Sequence, residues 1–265
     1  MKKVIAILLT VFLTVQISYA TTIDTTKVYG VTIDAVSKLS TIVTSLSKLC
    51  KKPTTRIVFD EWVPATDYQN AVNQIHNVSF IMGELLDSYY MKQYSLQQYK
   101  DRTNEYVYLL GDKVDIWEIG NEVNGEWLGT TSTVVAKINA AYDIVKAKNK
   151  KTALTLYYNY NCWEKSANEM FRWTNKNISA KMKNGLDYVW ISYYEDDCNN
   201  YQPNWQKVMD SLHVLFPNSK IGIGECGTTK STKKAAYINR YYNMKITTKN
   251  YVGGYLWVYY NHDCE

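Results

Sequence analysis

Trp117-Glu118-Ile119-Gly120-Asn121-Glu122, answered by Ile223-Gly224-Glu225-Cys226-Gly227, decides how this chain is read. Each run is a short apolar stretch ending in a carboxylate, the pattern of a buried strand that delivers an acid at its C-terminal end. The two acids stand 103 residues apart (225 − 122). Three strand–helix units of roughly 30–35 residues each span such a gap in an eight-stranded parallel barrel. Glu122 then ends a fourth strand, Glu225 ends a seventh, and both open on one barrel mouth.

Working outward, apolar runs alternate with amphipathic stretches along the chain. Strands are expected at 28–34, 55–61, 79–86, 114–121, 153–159, 188–194, 220–225 and 252–259. Helical spacing and caps mark about 35–50, 67–77, 95–111, 131–148, 164–182, 204–216 and 231–247. Ser95 opens one such helix, with Tyr99, Tyr106 and Leu109 or Leu110 on a single face. Strands alternating with helices imply parallel pairing through right-handed crossovers, hence an α/β fold, a compact (β/α)8 TIM barrel. The competing open doubly wound sheet would carry a Gly-rich phosphate loop after its first strand, and Gly30-Val31-Thr32-Ile33-Asp34 is no such loop. Only Asn261 to Glu265 follow the last strand, so the eighth helix is expected to be lacking. The seam between first and last strands is then thinly walled or covered by another chain, which makes a homodimer across it one expectation.

Residues 1–20 read as a signal peptide. Lys2 and Lys3 precede an apolar stretch too short for a membrane span, and Ser18-Tyr19-Ala20 is a small-x-small cleavage site. The mature chain, 21–265, is expected to be a single catalytic domain, secreted or periplasmic. Without the two leader lysines the formal charge falls from +5 to +3, and the remaining lysines are scattered. That balance argues against nucleic acid, and no membrane association is expected once the leader is cleaved. With 24 tyrosines and 8 tryptophans but only 5 phenylalanines, the aromatic surface is polar-edged and suited to contact with water or sugar. Low-GC coding would enrich tyrosine as well.

Five cysteines (Cys50, Cys162, Cys198, Cys226 and Cys264) allow at most two disulfides in an exported chain. Cys162 and Cys198 follow adjacent strands at the same barrel end and are the preferred pair. No Cys-x-x-Cys is present and there are only three histidines, so neither a zinc site nor any other cofactor is expected.

Two carboxylates at one barrel mouth are what glycoside hydrolysis requires, one as acid and one as nucleophile. Trp-Glu-Ile-Gly-Asn-Glu and Gly-Glu-Cys-Gly resemble the strand-4 and strand-7 endings of the glycoside hydrolases of clan A. The resemblance implies a retaining glycosidase acting on β-linked poly- or oligosaccharide, with Glu122 as acid/base and Glu225 as nucleophile. It further implies that Asn121 binds the sugar 2-hydroxyl, that Tyr194 hydrogen-bonds the nucleophile, and that Trp257 floors the subsite of the cleaved sugar. Tyr193 is one residue out of phase with Trp190 and Ser192 and is expected to face a helix. Arg56 resembles the clan arginine that helps hold the nucleophile, although it stands early in its strand. Glu118 shares strand parity with Glu122, points into the barrel, and has Arg56 as its nearest candidate partner.

Asp60 and Trp62 stand at the mouth end of the second strand, and Trp127 and Trp163 in loops on the same face, as further substrate-binding candidates. At 5–5.5 Å in an effective dielectric of about 20, the two glutamates repel by roughly 3 kcal/mol, which raises one pKa by about two units. The alternatives are a carbohydrate-binding barrel without turnover, or a structural protein that uses the open seam.

Overall fold

Every apolar run pairs in parallel with the next, and the eighth closes on the first, so the sheet has no edge. The computed structural model describes residues 27–160, 162 and 165–263. The leader expected over 1–20 and the loop tryptophan Trp163 lie outside the described residues. The first half of the barrel runs β1 (Val28–Ile33), α1 (Leu39–Ser47), β2 (Thr54–Val58), α2 (Gln69–His76), β3 (Phe80–Glu84), α3 (Leu96–Leu110), β4 (Ile116–Glu118) and α4 (Thr131–Ala147). The second runs β5 (Lys151–Tyr157), α5 (Met170–Asn177), α6 (Ala180–Gly185), β6 (Tyr188–Ser192), α7 (Trp205–Leu215), β7 (Lys220–Glu225), α8 (Ser231–Tyr242), β8 (Tyr251–Trp257) and a single turn, α9 (Tyr260–Asp263). This is the expected (β/α)8 barrel.

The helices start where side chains satisfy their free N–H groups. Ser95 accepts from the Gln98 N–H and the Gln98 side chain accepts from the Ser95 N–H, a closed capping box at the head of α3. Tyr99, Thr103, Tyr106 and Leu110 follow at steps of four, three and four and are buried on the barrel. The stretch expected as one helix over 164–182 is two, α5 and α6. The break falls at Ile178-Ser179, where Ser179 leaves helical geometry and caps α6 by accepting from the Met182 N–H.

Two cores result. Between sheet and helices lies the larger one, which takes the outward residues such as Ile57, Trp117, Leu154, Ile191 and Ile223. Inside the barrel a smaller plug of Met82, Ile116, Ala153, Tyr188, Trp190 and Val252 fills the lower layers. Above it the interior turns polar, with Arg56, Glu84, Glu118 and Ser192 all buried. That polar upper layer is the base of the mouth.

At the seam, α9 lies against β1 and α1. The Tyr260 hydroxyl meets Ser45 Oγ at 2.8 Å, and Asn261 Nδ2 donates to Asp34 at 2.8 Å. Beside this turn an apolar groove of about 440 Å³ remains between α1 and α8, lined by Val31, Leu49, Ile238, Tyr242 and Trp257. Across the mouth, Cys162 and Cys198 form the expected disulfide, with Cα atoms 5.4 Å apart. Among the described residues no helix is long and apolar enough to cross a membrane.

Candidate active site

Alternation along β7 would aim Glu225 out of the barrel, because Ile221 and Ile223 face the helices. A bulge reverses this. Ile191 pairs with Ile223, but Ser192 pairs with Glu225, so Gly224 is an extra residue and Glu225 falls in phase with the inward-facing Ser192. On the other side of the mouth, β4 ends at Glu118, and Glu122 stands in left-handed backbone, φ +47. A non-glycine residue held there is strained and is held by its surroundings. Gly120 makes that turn feasible: a Cβ on it would lie 2.6 Å from Val123 Cγ1 and 2.7 Å from Ile138 Cγ2.

The Glu225 carboxylate is held by one ion pair and two hydrogen bonds. Arg56 Nη2 lies 3.1 Å from Oε2, Asn121 Nδ2 donates to the same oxygen at 3.1 Å, and the Tyr194 hydroxyl donates to Oε1. Burial, then the two neighbouring carboxylates, holds the Tyr194 phenol well above its ordinary value, so it remains a donor. Such a set fixes the position of the carboxylate. Tyr193 faces the other way, with its ring 5.3 Å from that of Trp205 on α7, as its phase requires.

Glu122 has a different environment. Ser88 Oγ donates to its Oε2 at 3.0 Å and Ser192 Oγ to its Oε1 at 2.7 Å, and among the described residues no cation pairs with it. Burial first, and the charge of Glu225 second, push its pKa up to about 8. The rise exceeds the one expected from like-charge repulsion because desolvation leads it. One carboxyl is thus equipped to hold a proton, while its neighbour is held in place by Arg56, Asn121 and Tyr194.

Beneath the pair, Arg56 joins three carboxylates. It donates from Nε to Glu118 Oε2 at 2.7 Å and from Nη2 to Glu118 Oε1 at 3.3 Å, which pairs Glu118 as expected. Nη2 also lies 2.8 Å from Glu84 Oε2 without hydrogen-bond alignment. Burial holds Glu84 well above the usual carboxylate range, which favours its neutral form. Burial alone would lower the Arg56 pKa, but the charges of Glu118, Glu84 and Glu225 outweigh it and raise it. An early position in β2 proves compatible with reaching Glu225, because the guanidinium extends up the barrel axis.

The other expected substrate residues divide. Trp62 stands exposed after β2, 54 % accessible, with one face stacked on the buried Tyr94 at 4.0 Å between centroids. Its backbone is left-handed, φ +60, and its N–H donates to the Tyr94 hydroxyl at 2.6 Å. Asp60 turns away from the pair and accepts from the Tyr68 hydroxyl at 2.7 Å. Trp127 is half-buried and donates from Nε1 to Ser88 Oγ at 3.0 Å, so it supports a residue that touches Glu122.

Trp257 is not brought to the mouth. It pairs with the outward Val31, belongs to the outer core, and donates to Asp263 at 3.0 Å. It stands six residues from the outward Tyr251 and keeps that residue's face, although the register of β8 shifts against both neighbours. Tyr259 follows β8 two residues later. It stands against Gly227, and burial, Asp197 and Glu225 raise its phenol pKa.

Two contributors escaped the sequence reading. Ser88 sits just after β3 in a turn capped by Asp87, and its N–H donates to Asn121 Oδ1 at 3.1 Å, which fixes the orientation of that amide. Arg102 on α3 donates to the carbonyls of Phe59, Asp60, Val63 and Leu85, tying together the segments after β2 and β3. The signal for Arg102 was a cation on the buried face of α3. Among the described residues, no three His, Cys, Asp or Glu side chains converge as a metal ion would require.

No family model matches this sequence, and no curated protein matches it. Solved structures do match its fold. Saccharomyces cerevisiae Gas2p, in complex with laminaritriose and laminaritetraose, aligns over 88% of this chain with a TM-score of 0.58 at 11% identity. This chain spans 56% of the Gas2p chain. An apo β-glucosidase, 1317, aligns over 83% of this chain and 76% of its own, with a TM-score of 0.55 at 12% identity. The β-glycosidase BGL167 aligns over 81% of both chains, with a TM-score of 0.55 at 11% identity. At such identities the shared property is the barrel itself.

Proposed function

We propose that this protein is a retaining glycoside hydrolase of clan A that cleaves β-linked poly- or oligosaccharide, with Glu122 as acid/base and Glu225 as nucleophile. The observation that carries the reading is the contrast between the two carboxyls. Glu225 receives Arg56, Asn121 and Tyr194, whereas Glu122 is buried among serine hydroxyls with its pKa near 8. The resemblance of both strand endings to the clan supports it. So does a fold shared with a β-glucosidase, a β-glycosidase and a protein bound to laminari-oligosaccharides.

In the first step the Glu122 proton passes to the glycosidic oxygen as the bond from that oxygen to the anomeric carbon breaks. An electron pair of Glu225 forms the new bond to that carbon. The glycosyl ester leaves Glu225 without its charge, so the repulsion that helped raise the Glu122 pKa disappears. Glu122, now ionised, takes a proton from water, and the water oxygen displaces Glu225 with a second inversion. Throughout, Arg56 and Tyr194 return the nucleophile to one position, and Ser88 and Ser192 orient the acid. Trp62, backed by Tyr94, presents an aromatic face on which a pyranose ring can stack, an arrangement suited to an open chain and internal cleavage.

The test is the reaction of laminarin, barley β-glucan, xylan and mannan with wild type and Glu225→Gln, followed by proton NMR of the first-formed anomer. A β-anomer from wild type and a loss of at least about 10³-fold in Glu225→Gln are expected. An α-anomer as first product overturns the retaining route. Sugar binding without turnover by wild type favours a non-catalytic barrel.

A further inference from the structure

Tyr160 and Tyr201 stack on each other at the catalytic end of the barrel, with centroids 4.9 Å apart and rings inclined by 18°. They remain 45 % and 39 % exposed. Tyr160 follows β5 and Tyr201 follows β6, and the Cys162–Cys198 disulfide joins the same two segments. Exposed aromatic rings are ordinarily mobile, but the main chain that carries Tyr201 is tied down. The Tyr201 N–H donates to Cys198 O at 2.9 Å, and its carbonyl accepts from the buried Tyr193 hydroxyl at 2.5 Å. Two consecutive left-handed residues, Asn199 and Asn200, turn the chain back toward Tyr160. The Asn200 side chain is held in turn by Lys233 at 2.7 Å. Below the pair, Tyr158, Tyr193 and Trp205 form a buried aromatic stem.

The position is as informative as the rigidity. In a closed ring of eight strands, β6 lies opposite β2. The exposed face of Trp62 follows β2, so a line from Trp62 to Tyr201 joins opposite sides of the mouth on which Glu122 and Glu225 open. A glycan chain binding along that line would have an aromatic platform under each arm.

We propose that the Tyr160–Tyr201 pair is a remote sugar-binding subsite, set in place by the Cys162–Cys198 disulfide, that holds a pyranose ring of the substrate chain beyond those touching the carboxylates. The proposal rests on the glycosidase reading above. A pre-ordered aromatic surface binds without the entropy of fixing it, and an apolar ring face matches the C–H face of a pyranose. Holding the two rims together is then the task of the disulfide in the folded state.

The experiment compares wild type, Tyr160→Ala, Tyr201→Ala, Tyr201→Phe and the Cys162→Ala/Cys198→Ala double variant. Substrates are laminari- and cello-oligosaccharides of two to eight units and a short aryl β-glucoside. The readouts are KM, kcat and binding by calorimetry, with thermal unfolding alongside. Both alanine variants and the disulfide variant should raise KM about tenfold for the longest chains, the equivalent of about 1.4 kcal/mol. The aryl glucoside should be unaffected, and Tyr201→Phe should behave as wild type. An unchanged dependence on chain length in the alanine variants overturns the subsite, even if their unfolding temperature falls. Wild type that neither binds nor cleaves any of these sugars, nor xylan or mannan, overturns the glycosidase reading, and the subsite with it.

Discussion

Asn121 donates to Glu225 at 3.1 Å although 104 residues separate them, and its other amide atom accepts from the Ser88 N–H at the same distance. One side chain thus links the ends of β4 and β7 to the turn after β3. A hydrogen bond to a charged group contributes about 1.5–3 kcal/mol. Asn121→Ala should therefore lower kcat/KM by roughly 10- to 100-fold with little change in circular dichroism. Asn121→Asp should be worse, because it sets a third carboxylate against the pair. If the aspartate variant outperforms the alanine one in steady-state assays, the amide is not a donor to Glu225 during turnover.

The pH dependence of kcat/KM follows from the raised pKa of Glu122. The acid must carry its proton, so activity should hold through neutral pH and fall as pH rises through about 8. Ser192→Ala removes a hydroxyl that favours the ionised form and should move this alkaline limb upward. A profile whose alkaline limb lies near pH 5 would mean that Glu122 is not the group that titrates.

The same pKa makes a stability prediction. In the unfolded chain Glu122 loses its proton near its ordinary value, while in the folded protein it keeps it up to about 8. Between those limits the folded state binds more protons than the unfolded one, so stability falls as pH rises. Glu122→Gln removes this dependence. The variant should be more stable than wild type at pH 7–8, by on the order of 2 kcal/mol, and the advantage should vanish near pH 4. Urea unfolding at the two pH values decides the matter, and an equal difference at both would contradict the assignment.

These assignments also show where sequence alone could reach. Periodicity placed all eight strands, because a parallel barrel buries both faces of each and leaves unbroken apolar runs. Tyr194 could be preferred over Tyr193 since β6 stays regular through Ser192. Phase failed where the backbone departs from alternation. At β8 it was the resemblance that failed, since Trp257 keeps the phase of the outward Tyr251. At β7 the bulge turns Glu225 inward, and only the motif, not the period, pointed there. The break at Ser179 was missed because the spacing over 164–182 looked continuous, and the cap shows only in the structure. Ser88 was invisible for a simpler reason: a lone serine after a strand carries no pattern, and its value comes from a partner 34 residues away.

Arg56 is the shared counter-charge for Glu118 and Glu225, so its removal should damage both fold and chemistry. Arg56→Met leaves buried carboxylates without a cation and should destabilise by about 3–5 kcal/mol. Pairing it with Glu118→Leu removes one orphaned charge and should recover part of the stability. Activity should not return with it, since Glu225 still lacks its cation. Chemical denaturation and kcat measured on the same three proteins separate these effects. Full recovery of kcat in the double variant would place Arg56 outside the catalytic arrangement.

Gly120 connects packing to catalysis most directly. A methyl group there would meet Val123 and Ile138 at 2.6 and 2.7 Å, and the turn it would displace carries Asn121 and Glu122. Over-packing of this kind costs about 1–3 kcal/mol and is relieved by moving the backbone. Gly120→Ala should consequently lose stability in that range and lose kcat more than tenfold, because an acid displaced by an ångström no longer meets the leaving oxygen. The clashing atoms are side-chain methyls, so the defect is repairable: Val123→Ala with Ile138→Ala in the same chain opens the space. That triple variant should recover kcat while remaining less stable than wild type through the methyl groups it has lost. If stability returns without kcat, the glycine is required by the left-handed turn at Glu122 itself, and the packing account of this position fails.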